Sequence, residues 1–140
     1  GVFVSDFGDG MAAAVAADRR DDIYRVKSLA DAGIVINGST DSPISDANPL
    51  VSIRDMVLRR TSGGEVLGER ERVTVDEAVR AYTYGSAYAV GQEHATGTLK
   101  VGMLADFIAL SDDLYEIEPE RIAEQYVTTT VVGGEVVFER

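Results

Sequence analysis

The most informative segment of the chain reads Gly33-Ile34-Val35-Ile36-Asn37-Gly38-Ser39-Thr40-Asp41-Ser42-Pro43. Its short run of branched apolar residues is typical of a buried parallel strand, because such strands are covered on both faces. One carboxylate, Asp41, follows the run. Ligands and catalytic groups lie at the carboxyl ends of strands in parallel α/β folds. Asp41 is therefore the candidate catalytic residue, although Asp is also a common turn residue and could simply cap the loop.

Helices are predicted on both sides of this segment. Residues 22–32 carry apolar side chains at helical spacing, and Gly33 follows as a left-handed cap. A helix that leads directly into a buried strand is the second half of a βαβ unit. Asn48-Pro49 then predicts a helix start, with Asn as the cap and Pro in the first turn, and that helix runs to about Arg60. Before these elements, residues 1–10 are expected to form a loop and residues 11–17 a helix.

The remaining elements change from helical to β-rich along the chain. Thr74 and Glu77 form a capping-box pattern that opens a helix ending at Gly91. Small residues inside it, Gly85 and Ser86, indicate close approach of another backbone. Residues 107–110 are predicted to form a strand, residues 119–125 a short helix, and residues 126–138 a hairpin turning at Gly-Gly. We place a domain boundary near residue 95, which separates residues 1–95 from residues 96–140.

Composition excludes several classes of partner. The chain has 140 residues and a net charge of -11, which disfavours nucleic acid and anionic membranes because both require a basic face. It contains no cysteine, hence no disulfides and no thiolate metal sites. A cytoplasmic location fits this composition. We expect neither a membrane span nor a signal peptide within these residues, because no apolar run approaches the length of a span and no basic start precedes an apolar core.

The single histidine limits any metal chemistry. A catalytic zinc site generally needs three protein ligands, mostly His with a carboxylate. One His and no Cys do not supply them. His94 itself follows a helix end, where an exposed imidazole is stabilised by the helix dipole. We therefore expect this chain to bind no metal tightly by itself.

Other polar residues near Asp41 are weaker candidates. Ser39, Thr40 and Ser42 flank it with hydroxyls that could bind substrate, or could equally satisfy the backbone of the loop. Ser42 as a nucleophile lacks the Gly-x-Ser-x-Gly pattern. The pair Asp41 and Asp46 is compatible with glycoside hydrolysis, but an acidic chain offers many such pairs by chance.

Several short motifs follow one another in a distinctive order along the chain: Asp6–Asp9, Ser28–Ile34, Gly38–Pro43, Asn48–Leu50, Arg59–Thr61, Thr74–Gly91, Gly97–Phe107 and Val131–Val137. This order resembles the late part of a metal-dependent amidohydrolase. It is similar in particular to amidohydrolase family 3, which includes predicted amide hydrolases, deformylases and an exoenzyme regulator.

The resemblance implies a fold and an activity. The fold would be the last strand–helix units of a (β/α)8 barrel in residues 1–95, followed by strands of a small β-sandwich in residues 96–140. Asp41 corresponds to the family's Asp after the last barrel strand, which contacts the metal or its water and carries the proton to the leaving nitrogen. Ser39 and Ser42 would bind a small amide-type substrate. The implied reaction is hydrolysis of non-peptide C–N bonds by water activated on a divalent metal such as zinc.

The family's His-x-His and its later metal ligands have no match in this chain. A whole barrel needs about 250 residues. We therefore expect a C-terminal part of an amidohydrolase that is inactive alone and that self-associates or pairs with a missing N-terminal part. The alternative is a non-catalytic regulatory or interaction module derived from such an enzyme.

Overall fold

The computed structural model describes residues 2–140 as helices followed by a small sheet. The α-helices are α1 (Phe3–Ala14), α2 (Lys27–Asp31), α3 (Pro49–Leu58), α4 (Val75–Tyr82) and α5 (Tyr84–Ala89). Short 3-10 helices cover Ala17–Asp22, Glu69–Glu71 and Pro119–Glu124, and the strands are β1 (Phe107–Leu110), β2 (Val127–Val132) and β3 (Glu135–Glu139). The α/β class expected from the sequence is confirmed at this level.

The first helix begins earlier than the sequence predicts. Residues 3–14 are helical, so the expected loop over residues 1–10 is wrong for the described residues, and residue 1 lies outside them. Val4, Gly8 and Ala12 are buried and recur every fourth position, which places them on one helix face. Gly8 lies so close to Thr61 that an added Cβ would be 2.6 Å from its methyl group. Tertiary packing of this small-residue stripe therefore stabilises a segment whose glycines suggested a loop.

The helix predicted over residues 22–32 is largely absent. Only Lys27–Asp31 is α-helical, and Tyr24 has φ +50°, which interrupts a right-handed helix. The carbonyls of Ile23 and Tyr24 accept hydrogen bonds from the Arg59 guanidinium at 2.7 and 3.0 Å. These bonds provide the backbone with partners outside a helix. Gly33 does adopt the left-handed conformation expected of a cap, with φ +84°.

The apolar run at Ile34–Ile36 is extended but belongs to no sheet among the described residues, so the predicted buried strand is wrong here. Ile34 and Val35 are 52% and 39% exposed. A parallel strand is buried only when neighbouring strands and covering helices flank it. The described chain supplies no such strands beside Ile34–Ile36.

The main core surrounds α3 and α4. Asn48 accepts a hydrogen bond from the Leu50 amide at 3.0 Å, and Pro49 occupies the first turn, as the sequence predicts. The buried apolar cluster is formed by Leu50, Ile53, Met56, Val73, Ala78, Ala81, Leu114 and Ile122. Ile122 belongs to the 3-10 helix that packs against α3. Side chains from residues 50–81 and from residues 114–122 therefore share one core.

The final section forms an antiparallel sheet with the strand order β1-β2-β3. The β2–β3 hairpin turns at Gly133 and Gly134, both with positive φ, which confirms the predicted Gly-Gly hairpin. Within residues 2–140 the named strands pair into this single sheet. None of the helices formed by these residues has the length and apolar composition needed to cross a bilayer.

Candidate functional site

Asp41 lies in the loop between the extended segment and α3. Its φ is +54°, a left-handed conformation that Asp tolerates better than most residues. Its amide donates to Ser39 Oγ at 3.2 Å, and its carbonyl accepts from the Ile44 amide at 2.8 Å. Within residues 2–140 no hydrogen bond engages the carboxylate of Asp41. The loop therefore holds the backbone of Asp41 while its exposed carboxylate remains available to a ligand.

The flanking hydroxyls have different environments. Ser39 Oγ accepts a hydrogen bond from the Asp41 amide. This side chain therefore satisfies a backbone group of the loop, which is one of the two roles that the sequence left open. Ser42 is exposed and precedes Pro43 through a cis peptide bond. Binding of substrate by Ser39 and Ser42 stays a prediction.

The segment before Asp41 docks on the break between α4 and α5. The Gly38 amide donates to the Ala81 carbonyl at 2.9 Å. At Gly85 an added Cβ would lie 1.9 Å from the Ile36 carbonyl oxygen, so only glycine permits this approach. Ser86 Oγ donates to Asn37 Oδ1 at 3.1 Å. The close backbone approach that Gly85 and Ser86 predicted is thus confirmed.

The helix predicted from Thr74 to Gly91 is interrupted at that point. Thr83 has φ -112° and ψ -87°, which is not helical, and it divides the segment into α4 and α5. Its Oγ1 donates to the Val79 carbonyl at 2.9 Å, a bond that competes with the helical pattern. The break turns the small residues of α5 toward the segment at Ile36–Gly38.

The loop after Asp41 is tied to α1. Ser45 is buried, and its Oγ donates to Asp6 Oδ2 at 2.7 Å. Asp9, one turn later, accepts from Ser62 Oγ at 2.9 Å and from the Gly63 amide at 2.8 Å. These hydrogen bonds lower the pKa of the Asp9 carboxyl, together with one from Thr61, the largest contribution. The Asp6–Asp9 motif thus connects two loops to the first helix.

A cavity of about 360 Å³ opens beside Asp41. Its walls combine apolar and polar side chains from the first helix, the turn before α2, the segment leading to Asp41, and the C-terminal end of α3: Phe3, Val4, Tyr24, Val26, Asn37, Ser39, Met56 and Arg59. The volume suits a small molecule. Ser42, Asp46 and His94 do not line it.

Arg59 forms part of the cavity wall and was missed as a functional residue at the sequence level. It is 1% exposed and has φ +54°. Its Nε donates to the Leu67 carbonyl at 2.8 Å, in addition to the bonds to Ile23 and Tyr24. Burial lowers the pKa of the guanidinium, while Glu71 and Asp21 act in the opposite direction. Sequence offered no signal for these contacts, because all three acceptors are backbone carbonyls and two of them lie 35 and 36 residues away along the chain.

The remaining sequence candidates lie elsewhere. His94 is 86% exposed and lies 3.5 Å from Glu93, in agreement with a surface position after a helix end. Asp46 accepts the Asn48 amide at 2.8 Å and acts as a local cap. Neither residue contributes to the wall of the Asp41 cavity.

The donor set does not fit a complete metal site. Among residues 2–140, no group of three or more His, Cys, Asp or Glu side chains is arranged to hold a metal ion. Asp41 could offer one carboxylate, and a catalytic zinc site generally needs three protein ligands. Within residues 2–140 the structure thus brings together only part of the ligand set for the metal that the resemblance implies.

Comparison with known proteins gives a consistent result. A sequence profile described as the amidohydrolase family matches residues 2–138. The chain is 35% identical to YtcJ of Bacillus subtilis over 126 residues, which cover 88% of this chain and 24% of that protein. It is 31% identical to an N-substituted formamide deformylase of Arthrobacter pascens over 118 residues, 84% of this chain and 22% of that protein.

The fold comparison agrees with the sequence comparison. A crystal structure of an amidohydrolase from Thermotoga maritima superposes with a TM-score of 0.57 at 19% identity, covering 82% of this chain and 26% of that one. The chain thus spans about a quarter of the length of these relatives. Since the profile match extends over nearly all of its residues, the chain belongs to the amidohydrolase family.

Proposed function

We propose that this chain is the C-terminal part of an amidohydrolase that hydrolyses amide-type C–N bonds other than peptide bonds. The observation that carries the proposal is Asp41, whose unengaged carboxylate stands at a cavity of about 360 Å³. The formamide deformylase similarity supports a small amide-type substrate. In this proposal residues 1–95 form the last units of a (β/α)8 barrel, and residues 96–140 form part of a small sandwich domain. The rest of both domains would come from segments outside these 140 residues.

Asp41 would act as the proton shuttle of the reaction. A carboxylate within hydrogen-bond reach of the attacking water can accept its proton as the C–O bond forms. The same group can then donate that proton to the nitrogen as the C–N bond breaks. The held backbone of Asp41 supports this role, because proton transfer depends on a fixed donor–acceptor geometry.

A divalent metal, zinc in our proposal, would lower the pKa of a bound water in the complete protein. This chain could provide no more than the Asp41 carboxylate to such a site. The other ligands would come from segments outside these 140 residues. Accordingly, we expect the purified chain to bind zinc weakly or not at all and to hydrolyse no amide.

The test compares Asp41→Asn with Asp46→Asn in the longer protein that contains this chain. Removal of a general acid–base typically costs about 10² to 10⁴ in rate. We expect kcat of D41N to fall by about that factor on an N-substituted formamide, while D46N, an exposed control, retains activity. Equal activity of D41N and wild type would contradict the role of Asp41.

A second measurement tests the isolated chain. Titration calorimetry with zinc and an amide-hydrolysis assay should both give no signal above buffer. Metal-dependent hydrolysis by the 140-residue chain would overturn the proposal that its ligands lie elsewhere.

A further inference from the structure

We propose that Tyr82 is a positioning residue that sets the conformation of Asp41 through Ser39. This inference rests on the proposed function only for its catalytic consequence; the positioning itself rests on contacts. Tyr82 is the last residue of α4, directly before the break at Thr83. It appears in the sequence as one more apolar position of a helix, but its hydroxyl requires a partner.

The contact begins with the Tyr82 ring. An added Cβ on Gly38 would lie 2.4 Å from ring atoms Cδ2 and Cε2, so the ring lies directly against the Gly38 backbone. The Gly38 amide donates a hydrogen bond to the carbonyl of Ala81, the residue before Tyr82. The last turn of α4 thus fixes the position of Gly38 by packing and by a hydrogen bond.

The hydroxyl extends the contact by one residue. Tyr82 Oη donates to the Ser39 carbonyl at 2.9 Å. Ser39 Oγ accepts the Asp41 amide at 3.2 Å, and Asp41 holds φ +54°. A rotation of Ser39 would remove the acceptor that favours this conformation. Tyr82, Ser39 and Asp41 therefore form a continuous chain of hydrogen bonds from the helix end to the candidate catalytic residue.

The electrostatic surroundings keep the hydroxyl a donor. Burial raises the pKa of Tyr82, and the nearby Asp55 carboxylate acts in the same direction. A tyrosine hydroxyl is protonated at neutral pH even at its ordinary pKa, and these surroundings favour that form further. Ser52 also interacts with the hydroxyl and lowers the pKa in part.

The test uses Tyr82→Phe in the 140-residue chain, with Tyr88→Phe as the matched control. Tyr88 loses the same atom, but its ring lies on α5 against Tyr84, 6.1 Å away. We expect Y82F to shift the amide and Cα resonances of Asp41, which report its positive φ, and Y88F to leave them unchanged. Asp41 resonances that do not move in Y82F would overturn the inference.

Ser39→Ala provides a second variant. Ser39 lies in an exposed loop, and the substitution removes the Oγ that accepts the Asp41 amide. S39A should shift the Asp41 resonances in the same direction as Y82F. In the double variant Y82F/S39A the shifts should not add, since both changes interrupt one path. Additive shifts would contradict the path. An unchanged Asp41 in S39A would contradict it even if Y82F proved too unstable to study.

A kinetic measurement separates this inference from the proposed function. In the longer protein we expect Y82F to lower kcat at least tenfold and to change KM by less than twofold, because displacement of a catalytic group affects the chemical step more than substrate binding. If D41N retains full activity while Y82F still shifts the Asp41 resonances, the proposed function fails and the positioning stands. If D41N loses activity and Y82F does not shift those resonances, the positioning fails alone.

Discussion

At Gly85 the absence of a side chain determines whether the segment leading to Asp41 can dock. An added Cβ would meet the Ile36 carbonyl oxygen at 1.9 Å, and this backbone atom cannot move aside as a flexible side chain could. Gly10, on the exposed face of α1, has open space around its Cα and offers a contrast. The sequence predicts a close backbone approach at Gly85, and the packing shows that Gly85 makes this approach whereas Gly10 does not.

We therefore expect Gly85→Ala to lower the free energy of unfolding by about 1–3 kcal/mol, the range of overpacked sites. Gly10→Ala should be neutral or stabilising by up to about 1 kcal/mol, because Ala favours a helix interior. Urea denaturation of both variants measures the difference. A G85A variant as stable as wild type would contradict the observed approach of the two backbones.

Asp55 is a second residue whose role depends on burial. It is 2% exposed and accepts hydrogen bonds from Ser5 Oγ and from Arg54 Nε, the latter at 2.8 Å. Burial raises the pKa of this carboxyl above 3.8, although Ser5 and Arg54 oppose the shift. The folded state consequently retains the proton of Asp55 more strongly than the unfolded chain does.

A raised pKa means that the free energy of unfolding decreases as pH rises from 3.8 through the folded pKa. We expect wild type to gain stability relative to Asp55→Asn as the pH is lowered from about 7 to 4. Ser5→Ala removes a hydrogen-bond donor that favours the ionised form of Asp55. In this variant the pH range over which stability changes should therefore move to higher pH. Urea midpoints across this pH range measure both effects. If the stability of wild type relative to D55N decreased on acidification, the predicted direction of the Asp55 pKa shift would be wrong.

At the scale of elements, α4 shows what a local pattern determines well. Thr74 Oγ1 accepts the Glu77 amide at 3.2 Å, and Glu77 Oε2 accepts the Thr74 amide at 2.8 Å. This reciprocal pair lies within four residues and requires no distant partner. Lys27 Nζ lies 3.1 Å from Glu77 and adds a tertiary contact. The start of α4 is therefore predictable from sequence, whereas its end at Thr83 is not.

Thr74→Ala should lower the free energy of unfolding by about 1 kcal/mol, the usual cost of losing an N-cap. Thr74→Ser retains the hydroxyl and should stay close to wild type. Thermal unfolding followed by circular dichroism compares the three proteins. Equal destabilisation by the two substitutions would indicate that the methyl group of Thr74 matters and that the cap does not.

The helices before α3 illustrate the opposite case. The spacing of Ile23, Val26 and Leu29 predicts one long helix, yet Arg59 takes the carbonyls of Ile23 and Tyr24. In α1 the packing of Gly8 on Thr61 stabilises a helix that its glycines disfavour. Both errors have one cause: long-range contacts outweigh local propensity.

On the scale of the whole molecule, the sheet leaves apolar side chains in solvent. Phe107, Ile108, Val136, Val137 and Phe138 are between 43% and 62% exposed. A groove of about 1050 Å³ separates β1 from α3, α4 and α5. These side chains alternate between the two faces of the sheet, and exposed apolar surface of this extent is typical of a region that another polypeptide covers.

We predict that the purified chain self-associates through this exposed apolar surface of the sheet. In a longer protein the remaining segments would cover the same surface. Val137→Lys places a charge on β3 and should raise the dissociation constant at least about tenfold, equivalent to about 1.4 kcal/mol. Ile44→Lys, at an exposed branched residue in the Asp41 loop, is the matched control. Light scattering over a concentration series measures both, and a monomer at all concentrations would contradict the prediction.

The sequence by itself determined the family, the caps of α3 and α4, the Gly-Gly hairpin and the prominence of Asp41. These features depend on residues close together in the chain or on the order of motifs. Tertiary structure alone decided that Ile34–Ile36 belongs to no sheet here, that α4 ends at Tyr82, and that Arg59 and Tyr82 border the Asp41 loop. The physical reason is that hydrogen bonds to backbone carbonyls far away along the chain leave no periodic pattern in the sequence.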